Sequence, residues 1–367
     1  MNELNFFKNK KVLVTGHTGF KGTWLCKILL MLGAKVTGYA LESLTKQNLF
    51  ELCRLKEQMT SVYGDIRDLE HLKRVFEETE PEIVFHLAAQ PLVRESYKNP
   101  VYTYETNVIG TVNVLECVRL TPSVKSFLNV TTDKVYQNNE WERGYQETDI
   151  LNGYDPYSNS KSCSELVTES YKKSFFIDRH VAISTARAGN VIGGGDFAMD
   201  RIIPDCIRAV ECGKNIVVRN PYSIRPYQHV LEPLFVYLMI AKRQLENSVY
   251  AGNYNIGPDD VNCLTTGDLV SLFCRKWEEK MNQKVEWIDQ SDHGPYEAKF
   301  LKLDCTKLKE TFDWNPQWNI DFVMEKIVEW TKVYFEGGDV EQCMEQQIHE
   351  FGLCLLAENL ESYDIFL

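Results

Sequence analysis

The chain reads as an α/β protein: a doubly wound parallel sheet followed by a smaller mixed α/β C-terminal lobe. Three observations predict this. Apolar runs of strand length alternate with helical patterns through the first half. The stretch "TGHTGFKGT", Thr15 to Thr23, joins the first such strand to the first helix with glycines at 16, 19 and 22. Beyond Gly193 the alternation loosens into connections rich in glycine, proline and arginine. A length of 367 residues suits one large unit or two interlocked ones.

Each element follows from its own residues. "KVLVTG" (11–16) is a continuous apolar strand, and Phe20–Leu32 is an apolar helix ended by Gly33. "AKVTGYA" (34–40) and "TSVYGD" (60–65) are the second and third strands, followed by a helix from about Asp68 to Glu80. "EIVFHLAA" (82–89) is the fourth strand, 101–120 a long helix, and "SFLNVTT" (126–132) the fifth strand. A helix runs from near Asp155 to about Lys173, and "VAISTARAGNVIG" (181–193) is the sixth strand. Strand–helix–strand units of this kind wind right-handed and build a parallel sheet. Helices are expected again over Thr266–Met281 and Phe322–Tyr334. The expected division is 1–190 for a dinucleotide-binding unit, with segments returning near 228–258, and 191–367 for a substrate lobe. No pattern is legible in "AENLESYDIFL" at 357–367.

Composition excludes several classes. Forty Lys and Arg stand against 52 Asp and Glu, a formal net charge of −12. A field of that sign opposes nonspecific binding to nucleic acid or an anionic membrane. An anionic ligand then needs arginines placed locally. The eleven cysteines are odd in number and irregular in spacing, with no Cys-x-x-Cys pair. They read as reduced, mostly buried thiols of a cytoplasmic protein. The seven histidines include no His-x-x-x-His pair, so no metal site is expected. "MNELNFFKNKK" lacks the apolar core of a signal peptide, and "TWLCKILLMLGA" is too short to span a bilayer.

A triphosphate-binding loop places Lys directly before Ser or Thr at the start of its helix. Here the order is Lys21-Gly22-Thr23, so that reading fails. Gly16-x-x-Gly19-x-x-Gly22 fits a Rossmann-type dinucleotide turn instead. Gly16 allows the tight turn, Gly19 lets backbone approach a pyrophosphate, and Gly22 lets the helix lie close on the strand. The helix N-terminus adds N–H donors and the positive end of its dipole. Thr18 and Phe20 belong to the same loop. At the tip of the second strand stand Ala40 and, two positions on, Glu42, with no arginine nearby for a 2′-phosphate. That favours NAD. After the third strand, Asp65 and Ile66 are offered to the adenine, with Asp65 as a helix cap the competing reading. After the fourth, Leu87, Ala88, Ala89 and Gln90 lie beneath the cofactor, and Asn107 is a further candidate.

Tyr157 and Lys161, in "YSNSK", are four apart on one helix face. A nearby ammonium lowers a phenol's pKa, which suits Tyr157 as a base, and Lys161 can also grip the nicotinamide ribose. The fifth strand ends in "VTTDKVY", projecting Thr132, Asp133 and Lys134 over the cofactor. Thr132 can hydrogen-bond the hydroxyl being oxidised. Dehydrogenation or epimerisation needs no more, so Asp133 and Lys134 are additional acid–base groups. A capping Asp and a solvated Lys are the plain alternative.

Together these motifs resemble the extended short-chain dehydrogenase/reductases that act on nucleotide sugars. The stretches "GHTGFKGTWL", "HLAAQPLVRESY", "TTDKVYQNNEW", "GYDPYSNSKSCSE", "RAGNVIGGGDFAMDRIIPD", "RPYQHVLEPL" and "EAKFLKLD" narrow the resemblance to the 4,6-dehydratases that take CDP-glucose. They fall between about residues 8 and 335. Lys134 is the telling residue, because the dTDP-glucose dehydratases have glutamate after that aspartate. The resemblance implies a lyase. Tyr157 takes the proton of the sugar 4-hydroxyl as hydride leaves C4 for NAD, a base removes the C5 proton, water leaves from C6, and hydride returns to C6. The implied product is a 4-keto-6-deoxy sugar nucleotide, for deoxysugar and lipopolysaccharide O-antigen supply. Asp133 suits the acid at the leaving hydroxyl and Lys134 the base at C5.

The resemblance also implies how the sugar nucleotide is held. Asn190 and Arg225 resemble the family's asparagine and arginine at the pyrophosphate. Arg201, Arg219 and His229 are weaker candidates, with surface ion pairs or a core histidine as the alternative. A homodimer, or a tetramer, is implied through the long helix and the Tyr157 helix, with Val108, Val112, Leu115 and Val118 supplying an apolar face. Tyr296-Glu297-Ala298 departs from the family's usual His-Glu-Ala, which leaves the base and sugar open. The rival readings are a dTDP-glucose or GDP-mannose dehydratase, an epimerase, and a non-catalytic nicotinamide-sensing protein on the same fold.

Overall fold

The structure is a computed structural model and describes residues 6–43, 45, 47–177, 181–290 and 301–358; the Tyr296-Glu297-Ala298 departure lies outside the described residues. β1 (Lys11–Thr15) leads through the glycine turn into α1 (Phe20–Met31). β2 (Lys35–Ala40), the short α2 (Leu49–Leu52), β3 (Thr60–Tyr63) and α3 (Leu69–Thr79) follow. Asp68, not Asp65, caps α3, accepting from the His71 N–H. β4 (Ile83–His86) ends in a loop that enters α4 (Val93–Lys98).

The long helix expected over 101–120 is present as one uninterrupted run over 100–120 with a π-type turn inside it. α5 (Pro100–Tyr104) and α6 (Gly110–Leu120) are joined by a wide π-type turn over Glu105–Ile109. Gly110 sits tight on Ile66, where a Cβ would come within 2.4 Å of its Cδ1. β5 (Ser126–Thr132) matches expectation. α7 (Pro156–Tyr171) starts sharply: Asp155 accepts from the Ser158 N–H, and Pro156 supplies a pre-set φ at the first position. The expected sixth strand is two, β6 (Ala182–Ala188) and β7 (Val191–Ile192), parted at Gly189-Asn190.

The rest of the chain adds α8 (Ile202–Glu211), β8 (Ile216–Val218), β9 (Ile224–Pro226), β10 (Gln228–His229), α9 (Leu231–Glu246) and β11 (Asn253–Ile256). β12 (Cys263–Thr265), α10 (Thr266–Met281), β13 (Trp287–Asp289), α11 (Thr306–Phe312), α12 (Ile320–Phe335) and α13 (Val340–Glu358) complete it. α13 has no counterpart in the sequence reading. It lies on α1, where the buried Lys27 ammonium is 2.6 Å from both Glu341 and Glu345.

Seven strands make one parallel sheet in the order β11-β6-β5-β4-β1-β2-β3. The winding reverses between β1 and β4, which opens a crevice at their carboxyl ends, the ligand position of such sheets. Alternate strand residues face two cores. Leu13, Val84, Phe127 and Ile183 face one with α3 and α6; Val12, Val14, Phe85, Leu128 and Ala186 face the other with α1 and α9. Leu115 and Val118, expected on an outer face, belong to the first core, and Val108 and Val112 are half-buried. The apolar residues left exposed there are Val101, Tyr104 and Ile109, with Leu166 on α7. No helix among the described residues is long and apolar enough to cross a membrane.

Candidate active site

The glycine turn is built by clearance. Gly16 has φ +79°, and a Cβ there would lie 2.8 Å from the Ala88 nitrogen. A Cβ on Gly22 would lie 2.1 Å from the Gly16 carbonyl oxygen, so α1 rests directly on the turn. Gly19 meets only that oxygen, at 3.4 Å. No side chain caps α1 and no acid stands in its first turn, so its leading N–H groups have no side-chain acceptor. The Thr18 hydroxyl donates to the Leu41 carbonyl, and Phe20 reaches across to Gly193.

On the facing loop, Thr15 Oγ1 sits 2.7 Å from His86 Nδ1 and accepts from the Leu87 and Ala88 N–H groups. Burial, with the Lys161 charge, pushes His86 down to about 3, so it is neutral. Leu87, Ala88 and Ala89 are half-buried. Gln90 and Asn107 hold each other: the Gln90 N–H donates to Asn107 Oδ1 at 2.8 Å, and Asn107 Nδ2 donates to the Gln90 carbonyl and to Ser160 Oγ. Asn107 lies in the π-type turn, so its role here is to fasten the 88–90 loop to α7. Asp65 is gripped by Arg67; burial raises its pKa, but the Arg67 hydrogen bonds and charge outweigh that and hold it below the usual range. Ile66 is buried against Gly110, and the side chain at Ala40 is buried while Glu42 is exposed.

A cavity of about 540 Å³ opens beside this turn, lined by Lys21, Thr132, Asp133, Lys134, Tyr157, Asn190, Arg201, Arg219 and Arg225 among others. The end of β5 delivers three of them. Thr132 Oγ1 donates to Asp133 Oδ1 at 2.9 Å, and Lys134 Nζ is 3.9 Å from the same oxygen. Asp133 is 1% exposed, and its Oδ2 has no hydrogen-bond partner among the described residues. α7 delivers Tyr157 in its first turn, within hydrogen-bonding reach of Thr132.

The expectation about Tyr157 needs correction. Burial pushes the phenol up to about 12, and the Thr132 hydrogen bond only partly offsets it. Lys161 is buried one turn on and donates to the Val130 carbonyl at 3.1 Å, rather than facing the cavity. Burial lowers its ammonium to about 8, against the pull of Glu165.

The far wall carries the cations. Arg201 pairs with Asp196 at 3.0 Å, and Arg219 with Asp200 and Asp205. Arg225 is buried and donates to the Ile224 carbonyl. The Asn190 carbonyl accepts from the Gln228 N–H. His229 is not brought to this site. It is 0% exposed, packed between Trp24 and Trp318, and its Nδ1 accepts from the Leu231 N–H. Burial, with Lys326, pushes it down to about 3, so it is a neutral core histidine.

Two features were not anticipated. Lys21 lines the cavity, though its only sequence signal was the failed triphosphate pattern. Behind the β5 end, Arg187 and Glu165 form a buried ion pair at 2.9 Å. Its signal was a lone arginine in the otherwise small or apolar strand "AISTARA", with Glu165 one turn past Lys161.

A family model described as GDP-mannose 4,6 dehydratase matches residues 13–327. The chain is similar to CDP-glucose 4,6-dehydratase of Salmonella typhimurium, 45% identical over 96% of this chain and 98% of that one. In fold it is similar to dTDP-glucose 4,6-dehydratase of Bacillus anthracis in complex with NAD, with a TM-score of 0.74 and 23% identity over 90% of this chain and 98% of that one. It is likewise similar to UDP-glucose 4-epimerase of Thermotoga maritima with UDP-glucose, with a TM-score of 0.75 and 23% identity over 88% and 99%. At such identities the two structures establish the fold alone. The family model spans most of the chain and the Salmonella relative nearly all of it, and on both counts this chain belongs to the nucleotide-sugar 4,6-dehydratase family that the GDP-mannose 4,6 dehydratase model describes.

Proposed function

We propose that this protein is an NAD-dependent hydro-lyase that converts CDP-glucose to CDP-4-keto-6-deoxyglucose. One observation carries the reading: Thr132, Asp133, Lys134 and Tyr157 share a cavity with Arg201, Arg219 and Arg225, and the buried Asp133 keeps Oδ2 without a partner among the described residues. A buried carboxyl oxygen of that kind suits a hydroxyl of the ligand. The similarity to the Salmonella CDP-glucose enzyme supports the choice of sugar nucleotide.

The residues present fit a dinucleotide. The first turn of α1 has no side-chain cap and no acid, and Gly16 and Gly22 leave no room for side chains between strand, turn and helix. Gly16, Thr18, Gly19, Phe20 and Gly22 would hold its pyrophosphate. Asp65 and Ile66 would take the adenosine end and Ala88 and Ala89 the nicotinamide half, and Lys161 would reach its ribose only by leaving the Val130 carbonyl. A bound NAD would supply the hydride acceptor for C4 and the hydride donor for C6. Tyr157 takes the 4-hydroxyl proton, with Thr132 orienting that hydroxyl. Lys134 removes the C5 proton, Asp133 protonates the hydroxyl that leaves C6 as water, and the Lys134 ammonium, exchanged with solvent, returns a proton to C5 as hydride adds at C6. Asn190, Arg201, Arg219 and Arg225 hold the substrate diphosphate, where guanidinium groups pair best.

The test is mass spectrometry of the product formed from CDP-glucose in deuterated water. One water lost and one deuterium gained at C5 are expected, and Lys134→Ala is expected to abolish C5 exchange. A product that keeps its water, or activity confined to dTDP-glucose or GDP-mannose, would favour a rival family member. Undiminished exchange in Lys134→Ala would remove the lysine as base.

The same reading takes residues 1–190, with 228–258, as the cofactor-binding unit and the remainder of 191–367 as the substrate lobe. It includes a cytoplasmic location, for which free thiols are suited, and a place in deoxysugar supply for O-antigen. It also includes a homodimer through α5, α6 and α7. The exposed Val101, Tyr104, Ile109 and Leu166 support that face. The variant Ile109→Glu/Leu166→Glu is expected to sediment as a monomer; an unchanged dimer would place the interface elsewhere.

A further inference from the structure

Lys21 is the second residue of α1, on the glycine turn itself, and lines the same cavity as Thr132, Asp133, Tyr157 and Arg201. Among the described residues it makes no hydrogen bond or ion pair. Arg201 and Lys161 repel it, and Asp133 and Asp196 attract it. Asp196 is engaged with Arg201 at 3.0 Å and Asp133 Oδ1 with Thr132 at 2.9 Å, and Asp133 Oδ2, though without a partner among the described residues, makes no hydrogen bond to Lys21. Burial, reinforced by the two cations, pushes the Lys21 ammonium down to about 7. The helix opposes it as well, since the N-terminal turn of α1 carries the positive end of the dipole and no acid. A cation so placed destabilises the empty protein, and an anion bound beside it offsets these effects by its attraction.

We propose that the Lys21 ammonium pairs with a diphosphate oxyanion bound in the cavity, and its seat on the glycine turn makes that diphosphate the dinucleotide's rather than the sugar nucleotide's. The inference rests on the reading that the turn holds NAD. Backbone N–H groups at a helix start bind a pyrophosphate without side-chain help. Lys21 adds a charged partner that ties cofactor affinity to the wall shared with Asp133 and Arg201.

The experiment compares the unsubstituted protein with Lys21→Met and Lys21→Arg, each freed of nucleotide, by calorimetric titration with NAD and with CDP-glucose. Lys21→Met is expected to weaken NAD binding about tenfold to hundredfold, the span of a lost charged hydrogen bond. Lys21→Arg is expected to restore most of the loss, and CDP-glucose binding to stay within about twofold. In thermal melts, the empty Lys21→Met protein is expected to unfold at or above the unsubstituted midpoint, with a smaller rise on adding NAD. Unchanged NAD affinity in Lys21→Met overturns the inference. So does a loss confined to CDP-glucose, which moves the contact to the other diphosphate, or a lowered midpoint of the empty variant. If the unsubstituted protein binds no NAD, the dinucleotide reading falls and this inference with it.

Discussion

Tyr157→Phe is expected to lower turnover of CDP-glucose by about 10²- to 10⁴-fold, the range of a lost proton-transfer group. The phenol lies in the cavity within hydrogen-bonding reach of Thr132 at the β5 end, and Lys161, one turn on, donates to the Val130 carbonyl. Burial pushes the phenol up to about 12, so it is protonated at neutral pH. The free phenolate is therefore too scarce to be the resting base. A protonated phenol accepts no proton, so for Tyr157 to act as the base its pKa must fall when ligands fill the cavity. The hydroxyl is then indispensable, and its loss removes little bulk and no structural hydrogen bond besides that to Thr132. NAD affinity and thermal stability of Tyr157→Phe should stay close to those of the unsubstituted protein. The measurement is the initial rate of 4-keto product. A variant that keeps more than a tenth of the rate would exclude the phenol as proton acceptor.

Arg187→Met is expected to cost about 3–5 kcal/mol of folding stability, the range for removing one partner of a buried ion pair. Glu165 accepts from Arg187 Nε and Nη2 and from the hydroxyls of Thr131 and Thr185. Arg187 Nη1 donates to the Tyr136 hydroxyl and the Glu147 carbonyl, and Tyr136 donates to Asn255 Oδ1. Burial alone would lower the Arg187 pKa, and the Glu165 carboxylate more than reverses that, so the guanidinium stays charged. Without the arginine, a carboxylate is left in the core with two hydroxyls. The Glu165→Gln/Arg187→Met double variant should lose less than the two single losses together, because it leaves no lone charge. Urea unfolding checks both; a loss below about 1 kcal/mol for Arg187→Met would show the pair to be dispensable. The knot also joins α7, one turn past Lys161, to Tyr136, two residues past Lys134. Its variants should lose turnover even where they remain folded.

The parallel sheet was legible because each buried strand is a short apolar run bounded by turn residues. β5 at Ser126–Thr132 and α10 at Thr266–Met281 fall where periodicity places them. The long helix over 100–120 was legible, but the π-type turn at Glu105–Ile109 inside it was not, since the helix runs on through it with ordinary dihedrals. α13 could have been found: Val340, Cys343, Met344, Ile348, Phe351 and Leu355 are buried at helical spacing, ahead of the patternless stretch from Ala357. The side chains at the β5 end, with Tyr157, Arg201, Arg219 and Arg225, were legible as cavity residues because their places at strand ends and loops dictate it. His229 was not, since a histidine beside a strand looks the same in a core as in a site. The ionisation of Tyr157 was misjudged for a related reason. Four-residue spacing puts Lys161 on the same helix face but says nothing of where its ammonium points or how dry the phenol is.

The position of β11 at the sheet's edge bears on how the chain is made. Its partner β6 leaves the ribosome complete at residue 188, yet the strand that covers its open edge begins at residue 253. The helix that packs over β5 and β6, α9, ends only at residue 246. At about 5–20 residues per second, the emerging protein holds a bare strand edge and an uncovered apolar face for several seconds. That interval is the one in which neighbouring nascent chains can pair edge to edge, and in which a chaperone has most to shield.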